Sequence, residues 1–528
     1  MKKYWICIIM LLYILPVAAQ VSSSAIDVQG YKFNLVLTDA DNSIKGKATI
    51  SVFLLQNTET VQFDLVKKGG TGTGMTVSSV TENGKLLRFE HEGEILKIYT
   101  PVKAKSTHSY TVNYSGVPAD GLIISTNKFG DRTFFGDNWL KRAHHWLPCV
   151  DDVADKATVN FTVTAPKHYT VVSNGLKQKE TIAGKMKTTY WSETVPIPTK
   201  IMVIGVAKFA VDNQGKVGGI PVYSYVFPQD KAAGFKSYRN AADILPFFIE
   251  KIGPYAYKKL ANVQSKTIFN GMENASVIFY SQKSVTDADV EELIAHEIGH
   301  QWFGDAVTEK GPHDVWLSEG FASYLAHYYH EHKYGRDSLS RRMLSDKKNV
   351  LAFEKTRLTP VVDTTPVTDY MDLLNDNSYE KGSWVLHMLR HKLGDTTFWQ
   401  GIKTYYAQYK NTNANTQDFI AVMEKTSGQN LQQFFKQWLY TAGHPVLKIA
   451  FDTSTEKGKI VVRIEQQQDF LYDIPLDYVV NGQPYTVNIK DKITTFKIQL
   501  PINEIGFDPD VNSLAEIIMD NPEYRIKE

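Results

Sequence analysis

Residues 290–319 read VEELIAHEIGHQWFGDAVTEKGPHDVWLSE, and no other stretch restricts the chain so much. Within it, His296-Glu297-Ile298-Gly299-His300 is an H-E-x-x-H motif. On a helix, residues four apart share a face, so both imidazoles can reach one ion with Glu297 beside it. Val290, Leu293, Ile294 and Ile298 supply an apolar stripe at helical spacing. Asp287 or Asp289 is expected to cap the start of this helix, and Gly304 to close its end.

Two histidines leave such a site incomplete. A catalytic zinc takes three protein ligands and keeps a fourth position for water or substrate. Glu319 is the expected third ligand. Eighteen residues separate it from His300, and it falls on a second expected helix, WLSEGFASY at 316–324. A turn at Gly311-Pro312 lets that helix fold back over the first. The pairs His144/His145 and His330/His332 are expected to be surface or packed side chains.

The chain has 528 residues, too many for one core, so several domains are expected. From about residue 31 to 207 the pattern is strands. Residues 61–65 alternate with period two, and 77–82 and 85–89 flank Asn83-Gly84, a hairpin signal. Residues 110–114, 157–165 and 201–209 continue the theme. Gly69 to Gly74 is glycine-rich but has no Gly-Lys-Ser/Thr ending, and reads as a loop. Helical periodicity begins near Gln229, with Ala241, Ile244, Leu245, Phe248, Ile249 and Ile252 on one face, and dominates to about Tyr440. Residues 416–425 and 431–439 are two late amphipathic helices. Beyond Gly443-His444-Pro445 alternation returns, with a turn at Asn481-Gly482, as in a small sandwich.

Met1-Lys2-Lys3, an apolar run at 5–15 and Val17-Ala18-Ala19 read as a secretory signal, with cleavage leaving Gln20 first. The expectation is an exported protein, periplasmic or secreted, with no membrane attachment after cleavage. Cys7 falls in that leader, so the remainder keeps only Cys149, expected to be a packed residue. A net charge of +1, with 22% charged residues, provides no field for nucleic acid or anionic membrane.

Three motifs in order then suggest a family: Asn270-Gly271-Met272-Glu273-Asn274, the H-E-x-x-H stretch with Glu319, and Tyr379-Glu380-Lys381-Gly382. Together with 316–324 and RAHHWLPCVD at 142–151, they resemble the M1 family of zinc aminopeptidases. The resemblance implies a multidomain α+β fold. Its parts would be a signal at 1–19, an all-β saddle domain at 20–210, a thermolysin-like, mainly helical catalytic domain at 211–441, and a β-sandwich at 442–528. It implies one Zn²⁺ per chain on His296, His300 and Glu319, with Glu297 as general base and Tyr379 as oxyanion donor. Glu273 would anchor the free α-amino group of a peptide, Gly271 and Met272 would pair with its backbone, and Asn274 would complete the substrate-binding motif.

Four departures stand out. Asn270 replaces the usual glycine, which touches the wall of the side-chain pocket. Ser318 stands where asparagine is common. The second amine-binding residue is displaced, with Asp137 of Phe134-Phe-Gly-Asp-Asn138 as its candidate. The long helical C-terminal domain of many relatives is not expected. The partners expected are peptides with a free N-terminus; the oligomeric state is left open. The competing readings are a thermolysin-like endopeptidase, which has no need of Glu273, a leukotriene-A4-hydrolase-like epoxide hydrolase, against which Leu374 stands in place of a tyrosine, and an inactive peptide-binding relative.

Overall fold

Alternating strands build the first half of the molecule. The computed structural model describes residues 25–452 and 458–520, so the signal expected at 1–19 and Cys7 lie outside the described residues. Ile26–Val36 sits inside an eight-stranded sheet, antiparallel to Ile44–Leu54 and parallel to Lys156–Pro166. Its buried side chains recur every second residue on either side of an irregularity at Val28–Gly30, as one buried sheet face requires. Phe33 pairs with Phe161 across the parallel ladder, their rings stacked at 5.4 Å. Asn83 and Gly84 both take positive φ and join Gly74–Glu82 to Lys85–Leu86, the hairpin expected. The chain then leaves that sheet, and Arg88–Glu92 pairs instead with Ile95–Val102 in a three-stranded sheet. The strand expected at 201–209 is shorter, Ile204–Ala207, because Thr199–Ile201 forms a 3-10 turn ahead of it.

A mixed five-stranded sheet opens the second half, in the order Ala210–Val217, Ile220–Val226, Leu260–Ser265, Val277–Ser281, Gly271–Met272. The last three strands were passed over by periodicity. Leu260–Ser265 and most of Val277–Ser281 are buried throughout and show no alternation to read. Helices α1 (Lys231–Tyr238) and α2 (Ala241–Lys251) fill the loop between the second and third strands of this order.

Helix α3 (Val290–His300) carries the H-E-x-x-H motif. Asp289 occupies its N-cap position, but its side chain makes no capping bond; Asp287 Oδ1 accepts the Asp289 N–H at 3.0 Å. The helix ends at His300, before Gly304, whose φ of +118° serves the turn that follows. Helix α4 (Trp316–Tyr334) runs a full ten residues past the expected 324 and returns across α3. A Cβ on Gly299 would lie 3.4 Å from Ala322 Cα, so these two helices are in close contact. After α5 (Arg336–Glu354), a single π-helical turn, Asn377–Lys381, leads into α6 (Gly382–Leu393). Such turns occur disproportionately at functional sites. Gly320 of α4 and Gly382 meet backbone to backbone: a Cβ on Gly320 would stand 2.8 Å from Gly382 Cα. That approach brings the π turn over α3.

Helices α7 (Asp395–Tyr409), α8 (Thr416–Ser427) and α9 (Gln432–Leu439) complete the helical layer. Two further sheets, of four and three strands, close the described chain. Phe451 meets Phe507 and Tyr478 meets Phe496 between them. Among the described residues no helix is long and apolar enough to cross a membrane. Buried apolar side chains run continuously from the first sheets into the helices, and a buried ion pair, Lys200 Nζ to Glu309 Oε1 at 2.6 Å, ties the two halves.

Candidate active site

The i, i+4 spacing on α3 points the two imidazoles at one place: His296 Nε2 and His300 Nε2 are 3.0 Å apart. From α4, Glu319 Oε2 comes within 3.5 Å of the first and 3.1 Å of the second. Tetrahedral zinc with bonds of about 2.0–2.1 Å places its donor atoms about 3.3–3.4 Å apart. Two nitrogens and one carboxylate oxygen at these separations fit that ion. Glu273, Glu297 and His300 form a second convergent group, but it shares His300 and has one imidazole where the first has two. His300 Nδ1 faces the Phe303 carbonyl at 3.2 Å and Ser318 Oγ at 3.1 Å. Donation to that carbonyl leaves the Nε2 lone pair free for a metal, the usual outer arrangement of such ligands.

Electrostatics follow from burial and from these neighbours. Burial opposes charge on His300, yet Glu319 outweighs it and pushes the imidazole up to about 10, so a metal at Nε2 would compete with a proton for that lone pair. Burial would raise Glu319, but His300 and His296 pull it below the usual carboxylate range. His300 pulls on Glu297 as well, but by less than burial raises it. Burial first, and Glu273 and Glu319 next to it, push its carboxyl well above the usual range. Burial also raises the Tyr379 phenol well above its ordinary value, so it stays protonated. The Tyr379 ring stacks on His296, centroids 5.9 Å apart and planes at 12°.

A cavity of about 450 Å³ opens over this cluster. His296, Glu297, His300, Glu319, Tyr379, Gly271, Met272 and Glu273 all line it. Gly271–Met272 is the last strand of its sheet, paired with Val277–Ser281 on one side only. A Cβ on Gly271 would lie 2.1 Å from Glu297 Oε1, so a larger residue here would displace that carboxylate or the strand. Glu273 Oε1 is buried and has no hydrogen-bond partner.

Two expected residues do not reach the cavity. Asn274 is fully buried behind the strand, its Nδ2 3.4 Å from the Met272 carbonyl. Asp137 is fully buried as well. Its carboxylate accepts from Arg142, from Thr267 Oγ1 at 2.8 Å and from the Ile268 N–H at 3.0 Å, so it braces the loop before Asn270 and does not face a ligand. Desolvation by burial raises it. Trp139, two residues on, is the one that lines the cavity, in edge contact with Phe269. Glu292, His327 and Asp346 also line it and were not singled out. They carry no motif, and only the crossing of α3, α4 and α5 assembles them. Of the other histidines, His144 is buried against Asp151 at 2.7 Å and His330 is buried, whereas His332 is exposed. Cys149 is buried, and burial raises its thiol.

Two family models match, the Peptidase M1 N-terminal domain over residues 28–201 and the Peptidase family M1 domain over 237–438. The chain belongs to peptidase family M1. Similar proteins include a probable aminopeptidase 1 of Saccharolobus solfataricus, 25% identical over 94% of this chain and 63% of its own length. A probable aminopeptidase 2 of Sulfurisphaera tokodaii is 25% identical over 82% of this chain and 57% of its own. The glutamyl aminopeptidase of Rattus norvegicus is 27% identical over 64% and 38%. This M1 chain thus spans less than two-thirds of the length of these relatives.

Proposed function

We propose that this M1 chain is a zinc aminopeptidase that removes the N-terminal residue of peptides. The observation that carries the reading is the buried, partnerless Glu273 Oε1 on the cavity wall. A buried carboxylate oxygen left without a hydrogen bond is costly, and a substrate ammonium would satisfy it with a charge-assisted one. An endopeptidase has no use for such an anchor.

His296, His300 and Glu319 would hold one Zn²⁺. Bound there, zinc supplies Lewis acidity toward a carbonyl oxygen and lowers the pKa of water. Glu297, beside the cluster on the same helix, takes a proton from the attacking water and delivers it to the departing amine nitrogen. The Tyr379 hydroxyl donates to the carbonyl oxygen as negative charge builds on it. The open edge of Gly271–Met272 offers backbone groups to an extended peptide, as edge strands do. Glu273 holds the ammonium, so the cut falls one residue in.

The finer architecture belongs to the same reading: a saddle-like β domain to residue 210, a thermolysin-like catalytic domain at 211–441 and a terminal β-sandwich, supported by the sheets and helices described. Export to the periplasm or beyond is supported by the leader read at 1–19.

The test uses one peptide in free and N-acetylated forms, with released residues identified by mass spectrometry. The wild type is expected to trim the free peptide and spare the acetylated one. Glu273→Ala should keep its metal and lose about 10–150-fold in turnover of the free form. Internal cleavage of the acetylated peptide at a comparable rate would overturn the reading in favour of an endopeptidase.

A further inference from the structure

Glu273 reaches the cavity wall without any side-chain partner for Oε1, so its place is set by the turn that carries it. The backbone of that turn is held by buried groups from distant parts of the chain. Gln301, the residue after His300, reaches it with both ends of its amide. Its Nε2 donates to the Glu273 carbonyl at 2.6 Å and to Asp305 Oδ2 at 2.8 Å, while its Oε1 accepts the Ser276 N–H at 2.8 Å. Asn174 does the same from the N-terminal half. Its Nδ2 donates to the Ala275 and Ile201 carbonyls, both at 2.8 Å, and its Oδ1 accepts the Val203 N–H at 2.7 Å. The next residue, Gly175, donates its N–H to Ser276 Oγ at 2.9 Å. Between these holds Ser276 takes φ +64°, which a non-glycine residue keeps when its surroundings over-determine it.

One amide therefore links the anchor turn to the end of the metal-bearing helix, and the other links it to the N-terminal sheets. We propose that Gln301 and Asn174 are positioning residues that fix the distance from the Glu273 carboxylate to the His296–His300–Glu319 cluster, and so set the point along a peptide at which it is cut. This rests on the aminopeptidase reading. Neither residue lines the cavity. An anchor displaced by about 1 Å is enough to cost about 10²-fold, because both ends of the substrate must fit at once.

The test compares two ligands by titration calorimetry on the zinc-loaded full chain: leucine hydroxamate, and 4-methylpentanoyl hydroxamate, which lacks only the amine. The wild type should favour the amine-bearing ligand by about 10–150-fold. In Gln301→Met and Asn174→Ser that preference should shrink about tenfold or more, while affinity for the des-amino ligand and zinc content stay near wild type. General loosening of the fold would weaken both ligands together and leave the ratio unmoved. An unchanged ratio in either folded variant overturns the proposal for that residue. If Gln301→Met does not fold, Asn174→Ser decides alone, and failure of both to fold would assign the amides to stability and overturn the proposal. A wild type indifferent to the amine would be a different failure, that of the aminopeptidase reading itself.

Discussion

The proposed metal cluster and the proposed amine anchor face each other across one cavity, and they are built by opposite means. The cluster is local. Two of its side chains come from one turn of α3, and the third from the helix that follows, with His300 held by the carbonyl of Phe303 three residues on. The anchor is assembled from afar. Glu273 sits beside a two-residue edge strand, and the turn it begins is held by Gln301, by Lys259 and by Asn174, some hundred residues away. A local site depends on helix geometry, which any stable helix supplies. A remote one depends on the docking of two halves of the molecule, so it is sensitive to changes that never touch the cavity.

Removing the metal tests the local half most severely. Treatment with o-phenanthroline should abolish peptidase activity, and added zinc should restore it. The melting temperature should fall on removal, since an ion that binds only the folded state stabilises it. Activity that survives verified metal removal would break the comparison at its root. Tyr379→Phe comes next. The hydroxyl is needed only as charge develops, so kcat should drop about 10²–10³-fold with little change in KM. An unchanged kcat would remove Tyr379 from the reaction.

The same contrast explains what could be read from the chain before its fold was known. His296, Glu297, His300 and Glu319 follow from a spacing of four and one further helix, so periodicity suffices. The resemblance marked out Glu273 and Tyr379, but nothing in their spacing says that Gly320 and Gly382 bring the π turn over α3. Asp137, the candidate second amine-binding residue, does not line the cavity. Sequence order brought it near the cavity, but Arg142, Thr267 and Ile268 occupy its carboxylate. The buried strands Leu260–Ser265 and Val277–Ser281 escaped because burial on both faces erases period-two alternation. Asn174 carries no signal at all, since a buried asparagine in a loop looks like any turn residue.

Gly271→Ala probes the seam between the two regions, where the edge strand touches Glu297. The added methyl would sit 2.1 Å from Glu297 Oε1, so the carboxylate or the strand must shift. A loss on the order of 10² in kcat/KM is expected, with metal content unchanged by elemental analysis. Full activity would show that Glu297 can swing aside, and that the two regions need no common register.

Ser318→Ala should have the smallest effect, and for that reason it sharpens the contrast. Ser318 Oγ lies 3.1 Å from His300 Nδ1, the position from which an outer partner orients a metal ligand. Losing such a partner typically costs about 10–100-fold in metal affinity. Here Nδ1 also faces the Phe303 carbonyl at 3.2 Å, a backbone group that no side-chain substitution removes. The imidazole should therefore keep its tautomer and its aim. Zinc affinity, measured by competition with a chromophoric chelator, is expected to fall by less than about tenfold, and kcat by no more. A loss near the upper end of the usual range would mean that the serine, not the backbone, orients His300. The cluster would then depend on α4 for its orientation as well as for Glu319, and its local character would be confined to the spacing of His296 and His300.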